Sequence, residues 1–180
     1  MNDDRKSLLT VGQFRELARP TSAHLDEGEV SAFIREAEDA HIIPSVGYRN
    51  FKAAVDKEDS VFDKTFDTSF QSSIMLDGGE WTDKNGELRY CSGLRKALAY
   101  YTYAKLLRSD GAIVTRSGTI RHRDEEADHE DDGKLRRYND TMGMAERYLS
   151  EVLEYLSEHR KDKRAKPVKT TRARIRAIGD

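Results

Sequence analysis

The side chains best suited to chemistry are concentrated between positions 122 and 132. Seven of the nine residues from Asp124 to Asp132 are acidic, and His122 and His129 stand beside and among them. A zinc site uses closely spaced pairs of ligands, typically with cysteine. This stretch contains no cysteine. It therefore does not fit zinc, and a solvated acidic loop is the simpler interpretation.

Calcium is the second metal that this stretch brings into question. A calcium loop places oxygen ligands at alternate positions around a turn glycine and closes on a bidentate glutamate. Counted from Asp128, the residues Glu130, Asp132 and Gly133 fall in register, but the closing position is Asn139. Because the closing glutamate is missing, we predict that no metal is bound here.

The single cysteine, Cys91, is the remaining candidate for covalent catalysis. A nucleophilic thiol needs a neighbouring base and a positive environment. The five histidines are scattered along the chain, and none can be assigned to Cys91. Neither a phosphate-binding P-loop motif nor a dinucleotide-binding glycine motif is present. We therefore expect Cys91 to be a buried structural residue, and we expect a protein that is not an enzyme and holds no cofactor.

The charge of the chain is divided between an acidic body and a basic C-terminal tail. From Arg160 to Asp180 there are nine Lys or Arg residues against two acids, a net of +7. The preceding residues hold the other 22 basic and 31 acidic residues, a net of −9. The basic residues of the tail are Arg160, Lys161, Lys163, Arg164, Lys166, Lys169, Arg172, Arg174 and Arg176. With so few apolar residues to offset its ordering entropy, the tail is predicted to be mobile until it is bound.

Two kinds of partner suit such a tail. Its cations could neutralise the phosphates of nucleic acid, giving an affinity that depends on salt and ignores sequence. The tail lacks the interleaved aromatic residues that stack on single-stranded bases. It could equally dock on an acidic protein surface, and the body of this chain carries one.

Length and composition favour one domain over residues 1–159, followed by the tail over residues 160–180. A chain of 180 residues can bury about 70% of the surface that it exposes when unfolded. One cysteine permits no internal disulfide, and no apolar leader or membrane-length stretch is present. We expect a soluble protein that is made inside the cell.

The first half of the chain reads as a series of helices. Thr10 precedes a short helix that Pro20 should stop, and Asp26 with Glu29 predicts a capping box for a second helix. That second helix should end near residues 43–44, where a proline follows isoleucine. Aromatic and aliphatic spacing predicts another helix around residues 48–55, and a further helix is possible over residues 60–71.

The second half alternates hairpins and long helices. Asn85-Gly86 between two β-type runs predicts a hairpin, after which Ser92 should cap a helix that closes at Asp110-Gly111. This helix is apolar nearly all round, which is typical of a central buried helix. Ser117-Gly118 predicts a second hairpin between residues 112–116 and 119–123.

The last helix is predicted from about residue 134 to residue 159. Its apolar residues alternate by three and four, which is typical of a seam that packs on another helix. They are Leu135, Tyr138, Met142, Ala145, Leu149, Val152 and Leu156. Packing on the central helix is favoured over a coiled coil between chains, because Gly143 interrupts the helix. The fold class is therefore mainly α, a helical bundle with two short β-hairpins and a long C-terminal helix.

With these elements in order, residues 78–156 resemble the head–tail connector proteins of tailed bacteriophages, also called adaptor or head-completion proteins. The matching features are the hairpin leading into GLRKALAYYTYAKLL, the ribbon VTRSGTIRHR, and the closing helix with its Ala-Glu-Arg-Tyr-Leu segment. The likeness is greatest to proteins of phages that infect Bacteroides and related bacteria. No motif of residues 160–180 takes part in it.

The resemblance implies a structural subunit of the virion neck that performs no reaction. Such subunits assemble with copies of themselves, commonly as a twelvefold ring, beneath the portal protein. The ring extends the channel for double-stranded DNA and offers a docking surface to the tail or to further neck proteins. The protein would then be made in the cytoplasm of the bacterial host, without contact with a membrane.

In that setting the second hairpin and the acidic stretch should face other proteins. A ribbon between two core helices presents unpaired edges, and charges around it set the register of assembly. The predicted interface residues are Arg116, Arg121, Arg123, Asp124, Glu125, Glu126, Asp128, Glu130, Asp131 and Asp132. We hypothesise that the basic tail of one subunit, or a basic surface of the portal, pairs with an acidic loop of another. The alternative is a packaging accessory protein that binds DNA through the tail.

Overall fold

A computed structural model of the chain describes residues 5–19, 26–109, 112–115, 118–121 and 131–161, with the backbone alone for residues 112–115, 118–121, 131, 132 and 134. The elements are α1 (Val11–Leu17), α2 (Glu27–Ala37), a π-helical turn (Glu38–Ile42), α3 (Ile43–Val46), α4 (Tyr48–Asp56), α5 (Asp59–Thr65), α6 (Ser72–Asp77), β1 (Gly79–Thr82), β2 (Leu88–Cys91), α7 (Leu94–Ser109), β3 (Ala112–Thr115), β4 (Gly118–Arg121) and α8 (Asp131–His159). The predicted mainly α fold with a long C-terminal helix is confirmed. None of the helices in the described ranges is long and apolar enough to cross a membrane.

Helix α7 lies at the centre of the molecule, as its all-round apolar pattern predicted. It packs most extensively on α8 and also contacts α1, α2 and α6. The two long helices are antiparallel, because Ser92 meets Glu151 whereas Tyr100, further along the chain, meets Tyr148. Eight of its residues are buried: Leu94, Ala97, Leu98, Ala99, Tyr101, Thr102, Ala104 and Leu106.

The packed seam of α8 is shorter than predicted. The seam positions Ala145, Leu149, Val152 and Leu156 are buried, but Leu135 is 58% exposed. The physical reason is length: at 1.5 Å per residue α8 extends about 43 Å and α7 about 24 Å. The first turns of α8 therefore extend past the buried seam. The helix also begins at residue 131 rather than 134, so the second half of the calcium-loop pattern is helical.

The second helix does not end at residues 43–44, contrary to prediction. It continues through the π-helical turn into α3 and stops at Gly47, whose φ is +84°. In the π-helical turn the Ile43 N–H bonds to the carbonyl of Glu38, one residue further back than in an α-helix. Pro44 then occupies the first turn of α3, where its missing N–H is tolerated.

Two predicted helix caps differ in detail from the structure. At the start of α2, Asp26 accepts from the Glu29 backbone N–H. The complete capping box, with both of its bonds, forms instead on α1 between Thr10 and Gln13. The predicted cap of α7 was one residue off, because the Ala97 N–H donates to the carbonyl of Gly93 and not of Ser92.

The predicted helix over residues 60–71 is broken. Helix α5 ends at Thr65, and Phe66 is extended with φ −114° and ψ 162°. The break lets three rings pack together, because the centroids of Phe66 and Phe70 lie 4.4 Å apart and Phe62 lies 5.4 Å from Phe70. The fourfold spacing of these aromatic residues therefore reflects a cluster and not one helix face.

Both predicted hairpins form. Strands β1 and β2 pair antiparallel with Trp81 opposite Arg89, and β3 pairs with β4. In the first turn the Asp83 carboxylate accepts from the Asn85 and Glu87 backbone N–H groups. Gly86 has φ +83°, which explains the glycine at this position.

The first two residues of the predicted tail make backbone contacts with the body. The Asp67 N–H donates to the carbonyl of His159 at 2.8 Å, and Phe66 pairs with Arg160 in an isolated β-bridge. The Lys161 N–H then donates to Thr65 at 3.2 Å. Arg160 and Lys161, which were assigned to the tail, are therefore bonded to the body.

Candidate interaction face

Most of the predicted interface residues lie outside the described ranges. These are Arg116, Arg123, Asp124, Glu125, Glu126, Asp128 and Glu130. Arg121 ends β4, and Asp131 with Asp132 opens α8, so their backbone positions are known. The interface that was read from these residues stays a prediction.

Seven of the nine tail cations also lie outside the described ranges. They are Lys163, Arg164, Lys166, Lys169, Arg172, Arg174 and Arg176. Lys161 extends its ammonium group to the carbonyl of Asp63 on α5. Lys161 therefore lies beside α5.

A second group of cations, which sequence reasoning missed, surrounds Tyr148 of α8. The ammonium nitrogen of Lys96 lies 4.9 Å from the centroid of the Tyr148 ring, and the guanidinium carbon of Arg147 lies 5.3 Å from it. Cations are attracted to aromatic faces at such distances. The same ring meets Tyr100 edge-on at a centroid distance of 5.1 Å. Arg19 adds a third cation, because its guanidinium donates to the sulfur of Met144 at 3.3 Å.

We call Arg19, Lys96, Tyr100, Arg147 and Tyr148 the cationic face. Burial raises the pKa of the Tyr100 hydroxyl, the neighbouring Tyr148 raises it further, and Arg19 lowers it. Arg19 therefore lies close to the tyrosine pair. On α7, Lys96 and Tyr100 lie on the same side of the helix because they are four residues apart.

The cationic face has few internal acid partners. Among the described residues no carboxylate forms a salt bridge with Lys96 or Arg19. Arg147 lies 4.0 Å from Glu151, whose other oxygen accepts from the Ser92 N–H at 3.0 Å. The side chain of Arg147 is 66% exposed. The face therefore has positive charge available to a partner.

A shallow cavity of about 300 Å³ adjoins the cationic face. It is lined by Glu16, Leu17, Asp77, Tyr90, Ser92, Arg95 and Lys96. Arg95 is occupied by an ion pair with Asp77 and a bond to the carbonyl of Leu8. Tyr90 is 61% exposed and lies two residues after Leu88, which is 69% exposed. The outer side of the β1–β2 hairpin thus adds apolar surface near the cations.

The titratable groups in the interior serve packing. Cys91 is fully buried, and burial raises the pKa of its thiol. His159 packs against Trp81 and Tyr155, and its Nδ1 donates to the Tyr155 carbonyl at 2.8 Å. Among the described residues no group of three or more His, Cys, Asp or Glu side chains is arranged to hold a metal ion.

Comparison with known proteins gives one result. A protein family of unknown function, DUF6712, matches residues 44–171, which are 128 of the 180 residues. The chain belongs to this family. No curated protein and no solved structure matches it. The matched range includes the hairpins, α7 and α8, so it contains most of the cationic face.

Proposed function

We propose that this protein is a structural subunit of the neck of a tailed bacteriophage. It assembles into a ring beneath the portal, joins the capsid to the tail and extends the channel for DNA. It performs no reaction and needs no cofactor. The resemblance of residues 78–156 to head–tail connectors supports this proposal, and a mainly α body with two hairpins is compatible with it.

The observation that carries the proposal is the segment between α7 and α8. These two helices make the most extensive contact in the molecule, yet 21 residues, 110–130, separate them. Within the described parts of that segment, β3 and β4 pair with each other. Leu135, on the first turns of α8, is exposed at a seam position. A two-stranded ribbon has one unpaired backbone edge on each strand, and such edges are available to other proteins.

The charges around this segment set the register between subunits. Arg116, Arg121 and Arg123 lie within the eight residues before the acidic stretch 124–132. Alternating blocks of opposite charge favour one arrangement of neighbours and disfavour others, more than they add affinity. The ribbon would then face the next subunit or the portal.

A second candidate function rests on the tail alone. The nine basic residues in positions 160–180 would bind duplex DNA without regard to sequence. The net charge of −9 on residues 1–159 opposes that binding.

Co-expression with the portal protein of the same virus tests the proposal. We expect a complex that contains several copies of this chain, measured by light scattering, and a ring on the portal in negative-stain micrographs. Failure to associate with the portal, together with duplex binding that falls steeply with salt and is lost on deletion of residues 162–180, would favour the DNA-binding alternative.

A further inference from the structure

The cationic face and the acidic residues 124–132 are complementary in charge, and they belong to the same chain. Residues 1–159 carry a net charge of −9, whereas the cationic face brings together three cations, of which Arg147 is exposed and Arg19 and Lys96 are half-buried. Seven acids in nine residues form the strongest block of opposite charge in the sequence. We propose that the cationic face binds the acidic segment 124–132 of a second copy of this chain.

The chemistry of the face suits carboxylates. Lys96 and Arg147 supply two cations whose positions are fixed by the ring of Tyr148. Arg19 is held from the other side by Met144. Because these side chains are already positioned, less rotamer entropy is lost when carboxylates bind. The side chain of Arg147 offers its exposed guanidinium to two carboxylate oxygens at once.

The four acids nearest α8, from Asp128 to Asp132, cannot reach this face within the same chain. Its last two residues, Asp131 and Asp132, belong to the first turn of α8, and Arg147 follows 16 residues later. At 1.5 Å per residue the separation along the helix is about 24 Å. Asp128 lies three residues before the helix and reaches back at most about 10 Å. A second copy has no such limit and can present the whole segment.

The contact is therefore head-to-tail. One subunit contributes a face near the middle of α8, and its neighbour contributes a segment that precedes α8. Two different patches in one contact generate rings when the rotation closes and filaments when it does not. The inference thus deepens the proposed function by naming the surfaces that join subunits, and it rests on that function only for closure into a ring.

Zero-length crosslinking tests the contact directly on the full-length protein. A carbodiimide couples the Lys96 amine to a carboxylate as an amide with loss of water, which the carbodiimide takes up to become a urea. Trypsin releases the acidic residues in one peptide, Asp124–Lys134. In a mixture of ¹⁴N- and ¹⁵N-labelled protein we expect mixed-isotope crosslinks between Lys96 and this peptide. Lys96→Arg should remove them, because it keeps the charge but has no amine to couple.

Charge reversal tests the energetic role of the face. Lys96→Glu with Arg147→Glu should weaken self-association at least about tenfold, measured by analytical ultracentrifugation. Arg35→Glu with Arg49→Glu is the matched control, since both arginines are exposed on α2 and α4. Reversal of Glu125, Glu126 and Asp128 to Lys in the same chain should restore association to the face variant. That restoration would not occur if the face variant had simply misfolded.

Mixing distinguishes a head-to-tail contact from other modes. Charge-neutral versions, a face variant with Lys96→Gln and Arg147→Gln and a segment variant with Glu125→Gln, Glu126→Gln and Asp128→Asn, retain one intact pair of surfaces when mixed in equal amounts, so we expect heterodimers and no larger species. Crosslinks from Lys96 that are only intramolecular, or a face variant that associates as the wild type does, would overturn the inference. So would crosslinks from the tail lysines alone, or a face that binds duplex DNA and leaves association unchanged. Portal binding retained in those cases would leave the proposed function standing.

Discussion

Gly78 and Gly93 lie backbone against backbone at the base of the β1–β2 hairpin. A Cβ atom added to Gly93 would lie 2.5 Å from the backbone nitrogen of Gly78, and one added to Gly78 would lie 2.8 Å from the carbonyl oxygen of Cys91. Both residues have positive φ, +90° and +86°. The two ends of the hairpin can cross at this distance only because neither residue has a side chain. The crossing connects α6 to β1 and β2 to α7.

Gly93→Ala should lower the free energy of unfolding by about 2–5 kcal/mol. Left-handed backbone costs an alanine roughly 1–2 kcal/mol, and overpacking against fixed backbone adds about 1–3 kcal/mol. Gly47→Ala is the matched control, because Gly47 has φ +84° but nothing lies within 4 Å of its added Cβ. Urea denaturation should show the smaller, conformational cost alone at Gly47. Equal losses at both positions would contradict the close crossing.

The hydroxyl of Tyr155 fixes the start of α6. It accepts from the Gln71 N–H at 2.7 Å and donates to the Gln71 carbonyl at 3.2 Å, while the ring is fully buried. Tyr155→Phe should therefore cost about 0.5–1.5 kcal/mol, because the Gln71 N–H loses its partner while the Gln71 carbonyl still accepts from the Met75 N–H. Tyr90→Phe, on the exposed side of the hairpin, should be neutral within about 0.5 kcal/mol. Chemical denaturation of both variants checks the difference.

Glu38 holds the N-terminal segment against the π-helical turn. Its fully buried carboxylate accepts from the Leu8 N–H at 2.8 Å and from the Ser7 hydroxyl at 2.6 Å. Arg5 lies 3.4 Å from the second oxygen. Burial raises the pKa of Glu38, although the bonds from Ser7 and Leu8 oppose the shift.

The raised pKa of Glu38 gives the stability a definite dependence on pH. Between its ordinary value of 4.5 and its raised value, the folded state binds more protons than the unfolded state. The contribution of Glu38 to the free energy of unfolding is therefore complete below pH 4.5, and it is lost as the pH rises through the raised pKa. Glu38→Gln should remove this component, so the stability difference between the two proteins should change with pH in that window. Urea titrations from pH 4.5 to pH 8 measure it.

Asp83 does not obscure that measurement. The backbone N–H of Glu87, followed by the Arg89 side chain, lowers the pKa of Asp83 below its ordinary 3.8. The contribution of Asp83 to the free energy of unfolding is present above pH 3.8, and it is lost as the pH falls through the lowered pKa. The two windows are separate. A Glu38→Gln protein with the same pH profile as the wild type would contradict the role of Glu38.

Cys91 should be protected from thiol reagents in the folded protein. Its side chain is fully buried, and burial raises the pKa of the thiol, so little thiolate is present and none is accessible. We expect native Cys91 to react at least about 100-fold more slowly than the unfolded chain, because reaction requires opening of the structure. The rate of absorbance change with a chromogenic disulfide in 0 and about 6 M urea checks this. Rapid reaction in the native state would mean that the hairpin does not pack as described.

Local sequence was sufficient to predict the elements that show a hydrophobic periodicity or a recognisable turn. The helix around Tyr101 was visible because its apolar residues surround it, and a helix buried on all sides needs no particular partner to be recognised. Asn85-Gly86 indicated the first hairpin because only a few residue types accept positive φ. Cys91 was predicted to be buried because no base could be assigned to its thiol, and its side chain is fully buried.

Tertiary contacts decided what the periods could not. The break at Phe66 depends on its β-bridge to Arg160. The continuation of the helix past Pro44 depends on the π-helical turn, which packs beside Leu8. Both partners are far away along the chain. The exposure of Leu135 depends on where α7 ends. The spacing of apolar residues within α8 contains no information about that.

The cationic face lay beyond sequence reasoning for the same reason. Arg19, Lys96 and Arg147 come from three segments separated by 51 residues or more, and nothing in the local sequence around any of them indicates that they meet. Periodicity in a sequence reports which side of a helix is buried, whereas the meeting of side chains from different helices is set by how those helices pack. The amino-acid pattern determined the helices and hairpins, and packing around Tyr148 decided where their charges converge.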